Sequence, residues 1–321
     1  MRVLSGIQPS GTLHIGNYFA MMRPMIQHQR DHTLFCFIVN YHALTTVSDA
    51  EALRRDTVEV ALDFLALGLD PDKAVFWVQS DVPEVCELTW ILNNQTSVGL
   101  LERAHSYKDK LAKGFKPHNG LFSYPVLMAA DILIMQANAV PVGKDQKQHL
   151  EITRDIAMRF NHHYGETFTI PEPWIDDHTA IVPGIDGQKM SKSYGNTLDI
   201  FGDEKVIRKK VMKIVTDPTP LEDPKDPDKC NVFALISLFM DETEKSQLAE
   251  RYRAGGLGYG EVKKELFARM WEFFAPYRQR RAELAAEKGL VHEILAKGAA
   301  KARDYAAPTM EKVRRAVGLN Y

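Results

Sequence analysis

Cysteine is scarce in this chain. Three residues in 321, Cys36, Cys86 and Cys230, stand far apart with no CxxC pair. That spacing excludes a disulfide framework or an iron–sulfur site, argues against a zinc or redox centre, and reads as reduced thiols. Long apolar runs are also missing. Stretches such as Val232–Met240, between Asn231 and Asp241, fall far short of the roughly 18 residues a membrane helix needs. The chain reaches Ser5-Gly6 and Pro9 before a secretory h-region could form, so a cytoplasmic protein with no membrane partner is expected. No charge dominates: 40 Lys and Arg against 42 Asp and Glu leave −2. A uniformly basic coat for DNA is thereby excluded, and any nucleic-acid contact falls to local patches. Internal repeats and low-complexity segments are absent as well.

What remains is an ordinary globular composition, 45% hydrophobic and 26% charged, long enough for one large or two medium domains. Val3–Ile7 is a short apolar run that ends in Gln8-Pro9-Ser10-Gly11, a first strand and a tight loop. From Ile15 the pattern turns helical, with Phe19, Met22 and Ile26 at three- and four-residue steps. Thr33–Val39 and Ala74–Gln79 read as strands buried on both faces, separated by a helix from Asp49 to Leu67 capped by Ser48 or Asp49 and closed by Gly68. Strand and helix alternating over 80 residues predict an α/β, doubly wound parallel sheet of Rossmann type. Helices are predicted over Val85–Leu101, Met128–Gln136 and Gln146–Phe160. Ala139–Val142 and Thr179–Val182 are the further strands. Beyond Gly195 the composition shifts, through a Pro/Asp-rich loop at Asp217–Asp228, to helices with short glycine turns. The expected division is a catalytic domain over 1–195, with a helical insertion at about 80–125, and a smaller all-helical domain over 196–321.

Two short motifs lie about 175 residues apart: Pro9-Ser10-Gly11-Thr12-Leu13-His14-Ile15-Gly16-Asn17 and Lys189-Met190-Ser191-Lys192-Ser193. The first joins glycines to a helix start, whose free N–H groups and partial positive charge suit phosphate. His14 is placed to donate to a phosphate oxygen as charge develops. The second sits in a glycine-flanked loop, and its ammonium groups suit a triphosphate and its departing pyrophosphate. Taken alone, each also fits a plain turn. Together, around a doubly wound sheet, they read as a site that binds ATP and transfers its adenylyl group.

The pair resembles the His-Ile-Gly-His and Lys-Met-Ser-Lys-Ser signatures of class I aminoacyl-tRNA synthetases, with Asn17 at the second His. Three further stretches make the chain similar to the tryptophanyl-tRNA synthetases of bacterial type. They are Ser5–Gly11, Tyr124-Pro125-Val126-Leu127-Met128-Ala129-Ala130-Asp131-Ile132-Leu133, and Val140-Pro141-Val142-Gly143-Lys144-Asp145-Gln146-Lys147-Gln148-His149-Leu150. The resemblance spans essentially the whole chain and is strongest before residue 195.

Several site residues are implied by that resemblance. Gln8, Pro9, Ser10, Gly16 and Asn17 would hold adenosine and phosphates, with Gly143, Lys144 and Asp145 at the ribose and Ile181 at adenine. The loop residues Lys189, Met190, Ser191, Lys192 and Ser193 complete the ATP set, and Lys110 reaches the triphosphate from the insertion. Asp131, a carboxylate inside an apolar run, would accept the indole N–H of tryptophan. A buried carboxylate is costly without such a donor, though it also reads as a cap for a helix starting near Met128. Leu4, Met128, Val140 and Val142 would wall the ring, with Tyr124, His42 and Gln146 beside it. Asn40-Tyr41 replaces the Asp-Gln usual before His42-Ala43, and Leu4 replaces a common Phe. The implied partners are L-tryptophan, ATP with Mg²⁺ held mainly by its phosphates, tRNA(Trp), and a second copy of the chain through the insertion. A helical domain for the anticodon follows, its last helix packing back on the catalytic domain. The basic clusters Lys205, Arg208, Lys209, Lys210, Lys213 and Arg278, Arg280, Arg281 suit phosphate but read first as solvated faces.

The function so implied is ligation of tryptophan to tRNA through an adenylate, with His14, Lys110, Lys189 and Lys192 catalytic. The tyrosine enzyme, a small-molecule adenylyltransferase, a non-enzymatic RNA-binding paralogue and a specialised second copy are the alternatives. Met128–Ile132 argues against the first. The intact Gly16, Lys189 and Lys192 argue against a non-enzymatic role.

Overall fold

Five parallel strands form one sheet in the order β3-β2-β1-β4-β5: β1 (Arg2–Ile7), β2 (Thr33–Ile38), β3 (Ala74–Val78), β4 (Ala139–Pro141) and β5 (Glu172–Trp174). This computed structural model describes residues 1–9, 11–112, 114, 116–143, 146–174 and 182–321, with the backbone alone for His105, Ser106, Asp109 and Lys110. The first three strands are almost wholly apolar because helices cover both faces. Along β2 the side chains alternate. Leu34, Cys36 and Ile38 enter one core, and Phe35 and Phe37 the other. β1 pairs in register with β2 along its whole length, and touches β4 through Val3 and Ala139. The strand order therefore reverses between β1 and β4, and the crevice past their C-terminal ends is where such sheets bind ligands.

The helix after β1 is a composite. α1 (Ile15–Asn17) passes through a π turn at Tyr18–Met22 into α2 (Arg23–Gln27). Pro24 lacks an N–H and would crowd the carbonyl four residues back in a regular helix; the wider turn, with Arg23 N–H bonded to Tyr18 C=O, accommodates it. The connection after β2 holds the short helix α3 (Asn40–Ala43) and then α4 (Ala50–Ala66). Asp49 caps α4, accepting from Glu51 and Ala52 N–H, and Gly68 ends it at φ 109°.

The middle differs from the sequence expectation in several places. The helix predicted over Val85–Leu101 is two, α5 (Glu84–Asn93) and α6 (Val98–Glu102), because Asn94–Ser97 offers turn residues and Ser97 caps the second. After α7 (His105–Ala112), α8 (Asn119–Ile134) starts nine residues before Met128, capped by His118. α9 (Lys147–Tyr164) is amphipathic and stops at Gly165, φ 88°. β5 was not anticipated; it is three residues long, contains Pro173, and takes the sheet edge where a missing donor is tolerated. The strand expected at Thr179–Val182 lies outside the described residues save for Val182, which belongs to no strand.

Beyond residue 200 lie α10 (Glu204–Met212), α11 (Asn231–Ile236), α12 (Glu242–Ala254), α13 (Tyr259–Phe273), α14 (Ala275–Ala286) and α15 (Leu290–Ala316). The Pro/Asp loop is tied by Lys225, 3% exposed, whose ammonium donates to the carbonyls of Pro220, Leu221 and Asp223. All three of its donors are thereby used. One core runs unbroken from Val3 and Phe64 through Leu198 and Val232 to Leu266 and Phe274. The other takes Ala299, Ala302, Ala306 and Met310 of α15 against Phe35 and Trp77. α15 lies on β3 so closely that a Cβ on Gly298 would stand 1.7 Å from Phe76 C=O.

Candidate active site

At the reversal between β1 and β4 opens a cleft of about 510 Å³. β1 supplies Leu4 and the residue after its end Gln8, while β4 supplies Val140 and the residues after its end Val142 and Gly143. α8 presents Tyr124, Met128 and Asp131 to it, while His42 comes from α3 and Gln146 from the turn before α9. The sequence reading named ten of these positions, and they line one cavity.

Asp131 lies at its floor, 5% exposed and well inside α8. A helix that starts at Asn119 leaves it no capping role, so that alternative is overturned. Gln79 Nε2 donates to both carboxylate oxygens at 2.9 Å, and His42 Nε2 lies 2.9 Å from Oδ2. Burial pushes the Asp131 carboxyl up from the usual range, and the bonds from His42 and Gln79 oppose that. A carboxylate has about four lone-pair positions. Among the described residues Oδ1 takes one bond, so it retains room for a donor entering from the cavity.

Sequence reasoning missed Gln79. It is 1% exposed and directly follows β3, at the strand end where doubly wound sheets put function. That placement was the available signal. Its Oε1 accepts from Tyr41 N–H at 3.0 Å, and Asn40 exchanges two hydrogen bonds with Ser80. Asn40-Tyr41 thus latches the end of β2 to the end of β3 and holds the amide that holds Asp131. His149, 3% exposed and also in the cavity wall, was likewise not singled out; its Nε2 lies 2.7 Å from the Tyr124 hydroxyl.

The two motifs distant in sequence touch. Ile15 N–H bonds to Leu198 C=O and Ile200 N–H to Leu13 C=O, joining the first motif to the strand-like segment after the second. A Cβ on Gly16 would lie 3.2 Å from Met190 Cβ and 2.9 Å from His14 Nδ1, so glycine is what lets helix and loop meet. His14 caps α1. Its Nδ1 accepts from Asn17 N–H and its own N–H donates to Asn17 Oδ1, both at 3.2 Å. With Nδ1 accepting, the proton of the neutral ring sits on Nε2. Burial, and then the charge of Lys192, lower the His14 pKa to about 4; Asp199 opposes them. His14 is therefore a neutral donor at neutral pH.

Lys189, Lys192 and Ser193 are exposed on the loop, and Met190 is buried under it. Partial desolvation lowers the Lys192 pKa against Asp56, Asp199 and Asp63, the carboxylates around it. Pro9 is buried beside Gln8. Ser10, Lys144, Asp145 and Ile181 lie outside the described residues, as does the Lys110 side chain. Of the basic clusters, several members are engaged within the chain. Lys210 pairs with Asp199 at 2.7 Å, Arg281 with Asp63 at 2.5 Å and with Glu59, and Arg278 lies 3.5 Å over the Trp271 ring. Arg208 covers Phe267.

Residues 1–275 match the family described as tRNA synthetases class I (W and Y). The chain belongs to that family. A tryptophan–tRNA ligase of Rhodopirellula baltica is 54% identical over 319 residues, covering 99% of this chain and 100% of that protein. The crystal structure of tryptophanyl-tRNA synthetase from Campylobacter jejuni, complexed with ADP and tryptophan, is 52% identical with a TM-score of 0.94, over 99% of this chain and all of that one. The Mycoplasma pneumoniae tryptophanyl-tRNA synthetase is 29% identical, with a TM-score of 0.83 over 99% of this chain and 97% of that one. Likeness to synthetases therefore runs the full length of the chain, and the family's two signatures stand at His14–Asn17 and Lys189–Ser193.

Proposed function

We propose that this synthetase joins L-tryptophan to tRNA(Trp) by way of a tryptophanyl-adenylate, releasing pyrophosphate and then AMP. The observation that carries the reading is the buried Asp131 carboxylate, held by Gln79 and His42 at the floor of an apolar cleft. An indole N–H satisfies it. A phenylalanine ring brings no donor and leaves the free acceptor position of Asp131 Oδ1 unmet inside the cleft; mismatches at a site built to hydrogen-bond its substrate discriminate by roughly 10⁴ or more. Leu4, Met128, Val140 and Val142 supply apolar walls, Tyr124 lines the same cavity, and Gln146 is the residue that holds the amino group in this reading.

In the first step a carboxylate oxygen of tryptophan attacks the α-phosphorus of ATP in line. The bond to the bridging oxygen breaks and pyrophosphate leaves with its electron pair. No side-chain nucleophile is needed, so catalysis rests on placement and charge. His14 donates Nε2–H to a phosphate oxygen, and Lys189, Lys192 and Lys110 take up the charge that gathers on the leaving group. Gln8, Pro9, Ser10, Gly16, Asn17, Gly143, Lys144, Asp145 and Ile181 bind the nucleotide. Mg²⁺ enters with the nucleotide as part of the substrate. In the second step the terminal ribose hydroxyl of the tRNA attacks the activated carbonyl carbon and AMP departs.

The remaining parts of the reading follow the family. Residues 196–321 form the anticodon-binding domain and 1–195 the catalytic one. Two copies pair through the insertion at about 80–125, where Trp90 is 72% and Val98 61% exposed. The enzyme works in the cytoplasm. ATP–pyrophosphate exchange run separately with tryptophan, tyrosine and phenylalanine tests the substrate, followed by charging of tRNA(Trp). Exchange with tryptophan alone, then charging, is expected. Tyrosine-dependent exchange would overturn the assignment.

A further inference from the structure

Asn196 lies just past the second signature, outside every residue assigned above. It is 2% exposed. Its Nδ2 donates to Asp186 Oδ1 at 2.7 Å and to Lys189 C=O at 3.1 Å, and its Oδ1 accepts from Ser191 N–H at 2.7 Å. Its own carbonyl accepts from Ile185 N–H at 3.0 Å. The amide thus grips the loop on both sides of Met190, between the two lysines. Gly184 is part of the same arrangement, since a Cβ there would stand 2.3 Å from Asn196 Nδ2. Below this grip, residues 182–190 form a tight hairpin, with Met190 N–H on Val182 C=O and Gly184 N–H on Gln188 C=O. Above it, Lys192–Gly195 is exposed.

Two donors and one acceptor in fixed directions are what a side-chain amide alone supplies. Ser, Asp and Leu each lose at least one. A loop whose lysines must meet a transient charge gains from a base that does not move, because an ångström of misplacement costs about 10²-fold in rate.

We propose that Asn196 is a positioning residue for adenylate formation, fixing the geometry from which Lys189 and Lys192 reach the phosphates in the transition state. The inference rests on the proposed reading that those lysines stabilise the charge on the departing pyrophosphate. It requires that Asn196 act through them and not on the tryptophan cavity.

A double-mutant cycle on tryptophan-dependent pyrophosphate exchange tests this. Lys192→Ala alone should lower kcat strongly. Asn196→Ser alone should lower kcat by about 10²-fold, with KM for tryptophan within twofold of the parent. Combined, they should lose clearly less than the product of the two single losses, the remainder acting through Lys189. Asp186→Ala removes one of the three side-chain bonds from the exposed side, together with the bond Asp186 Oδ1 accepts from Gln188 N–H at 3.0 Å. It should give a smaller loss with the same non-additivity, which keeps the test available if Asn196→Ser folds poorly. Losses that multiply would overturn the proposal, because Asn196 would then act independently of the loop. So would a normal kcat in Asn196→Ser beside a depressed Lys192→Ala. If Lys192→Ala is itself as fast as the parent, the lysine assignment falls and the Asn196 role falls with it.

Discussion

Asp131 shows how much one residue decides. Replacing it with Ala removes the acceptor proposed for the indole and leaves the Gln79 and His42 donors without their carboxylate. Tryptophan kcat/KM should fall by about 10³–10⁴-fold, since a site built to bond a donor suffers when the bond cannot form. Near-normal exchange would contradict the assignment. The fold should survive with a loss of about 1–3 kcal/mol, the cost of unpaired buried polar groups, readable by urea denaturation. His14 gives a pH prediction. Its pKa is lowered to about 4 from 6.5, so across that interval the unfolded chain binds more protons than the folded one. Its contribution to stability is thus fully present above pH 6.5 and is lost as pH falls toward 4. The Nε2–H donor persists over the same range, so kcat should show no inflection near 6.5 due to this residue. An inflection there that vanishes in His14→Gln would mean the imidazolium is the active form.

Single elements carry the next layer. β3 ends just before Gln79, and α8 brings Asp131 within hydrogen-bond reach of it. Gln79→Leu keeps roughly the volume but loses both the bonds to Asp131 and the acceptor for Tyr41 N–H. A bond to a charged group is worth about 1.5–3 kcal/mol, so KM for tryptophan should rise at least 10-fold while KM for ATP stays level. Equal rises in both would mean that the sheet edge, and not the carboxylate, was disturbed. Lys192→Ala should behave oppositely, lowering the adenylation rate far more than ATP affinity; matched losses would mean uniform binding.

For the molecule as a whole, α15 packs along the edge strand β3 and α14 is tied to α4 through Arg281. Gly298→Ala would drive a methyl into the Phe76 carbonyl. Overpacking of this kind costs about 1–3 kcal/mol, seen as a Tm lower by several degrees. Because Phe76 lies in β3, three residues before Gln79, KM for tryptophan should rise with it. An unchanged Tm would place α15 elsewhere. Arg281→Ala would strip the partner from Asp63, whose side chain is 4% exposed. Breaking such a pair leaves a buried carboxylate uncompensated, for a loss of about 3 kcal/mol that Asp63→Asn should partly relieve.

The sequence by itself determined the first four strands, because a short apolar run covered on both faces has few other fates, and it pointed to the chemistry through Gly16, His14 and the loop lysines, which sit in motifs whose spacing is local. Asp131 was legible for a related reason: a carboxylate among apolar residues must have a partner. Only the tertiary structure decided who that partner is. Gln79 and Asn40 are ordinary polar residues in sequence, and their roles arise from two strand ends brought side by side. α8 began earlier than its apolar pattern suggested, since a polar first turn capped by His118 carries no hydrophobic period. β5, three residues with a proline, is a strand only because β4 offers an edge. Asn196 could be read as a loop residue until the hairpin folded around it. Local patterns record which groups a chain must bury; which groups then meet is settled by the packing of segments far apart in the chain.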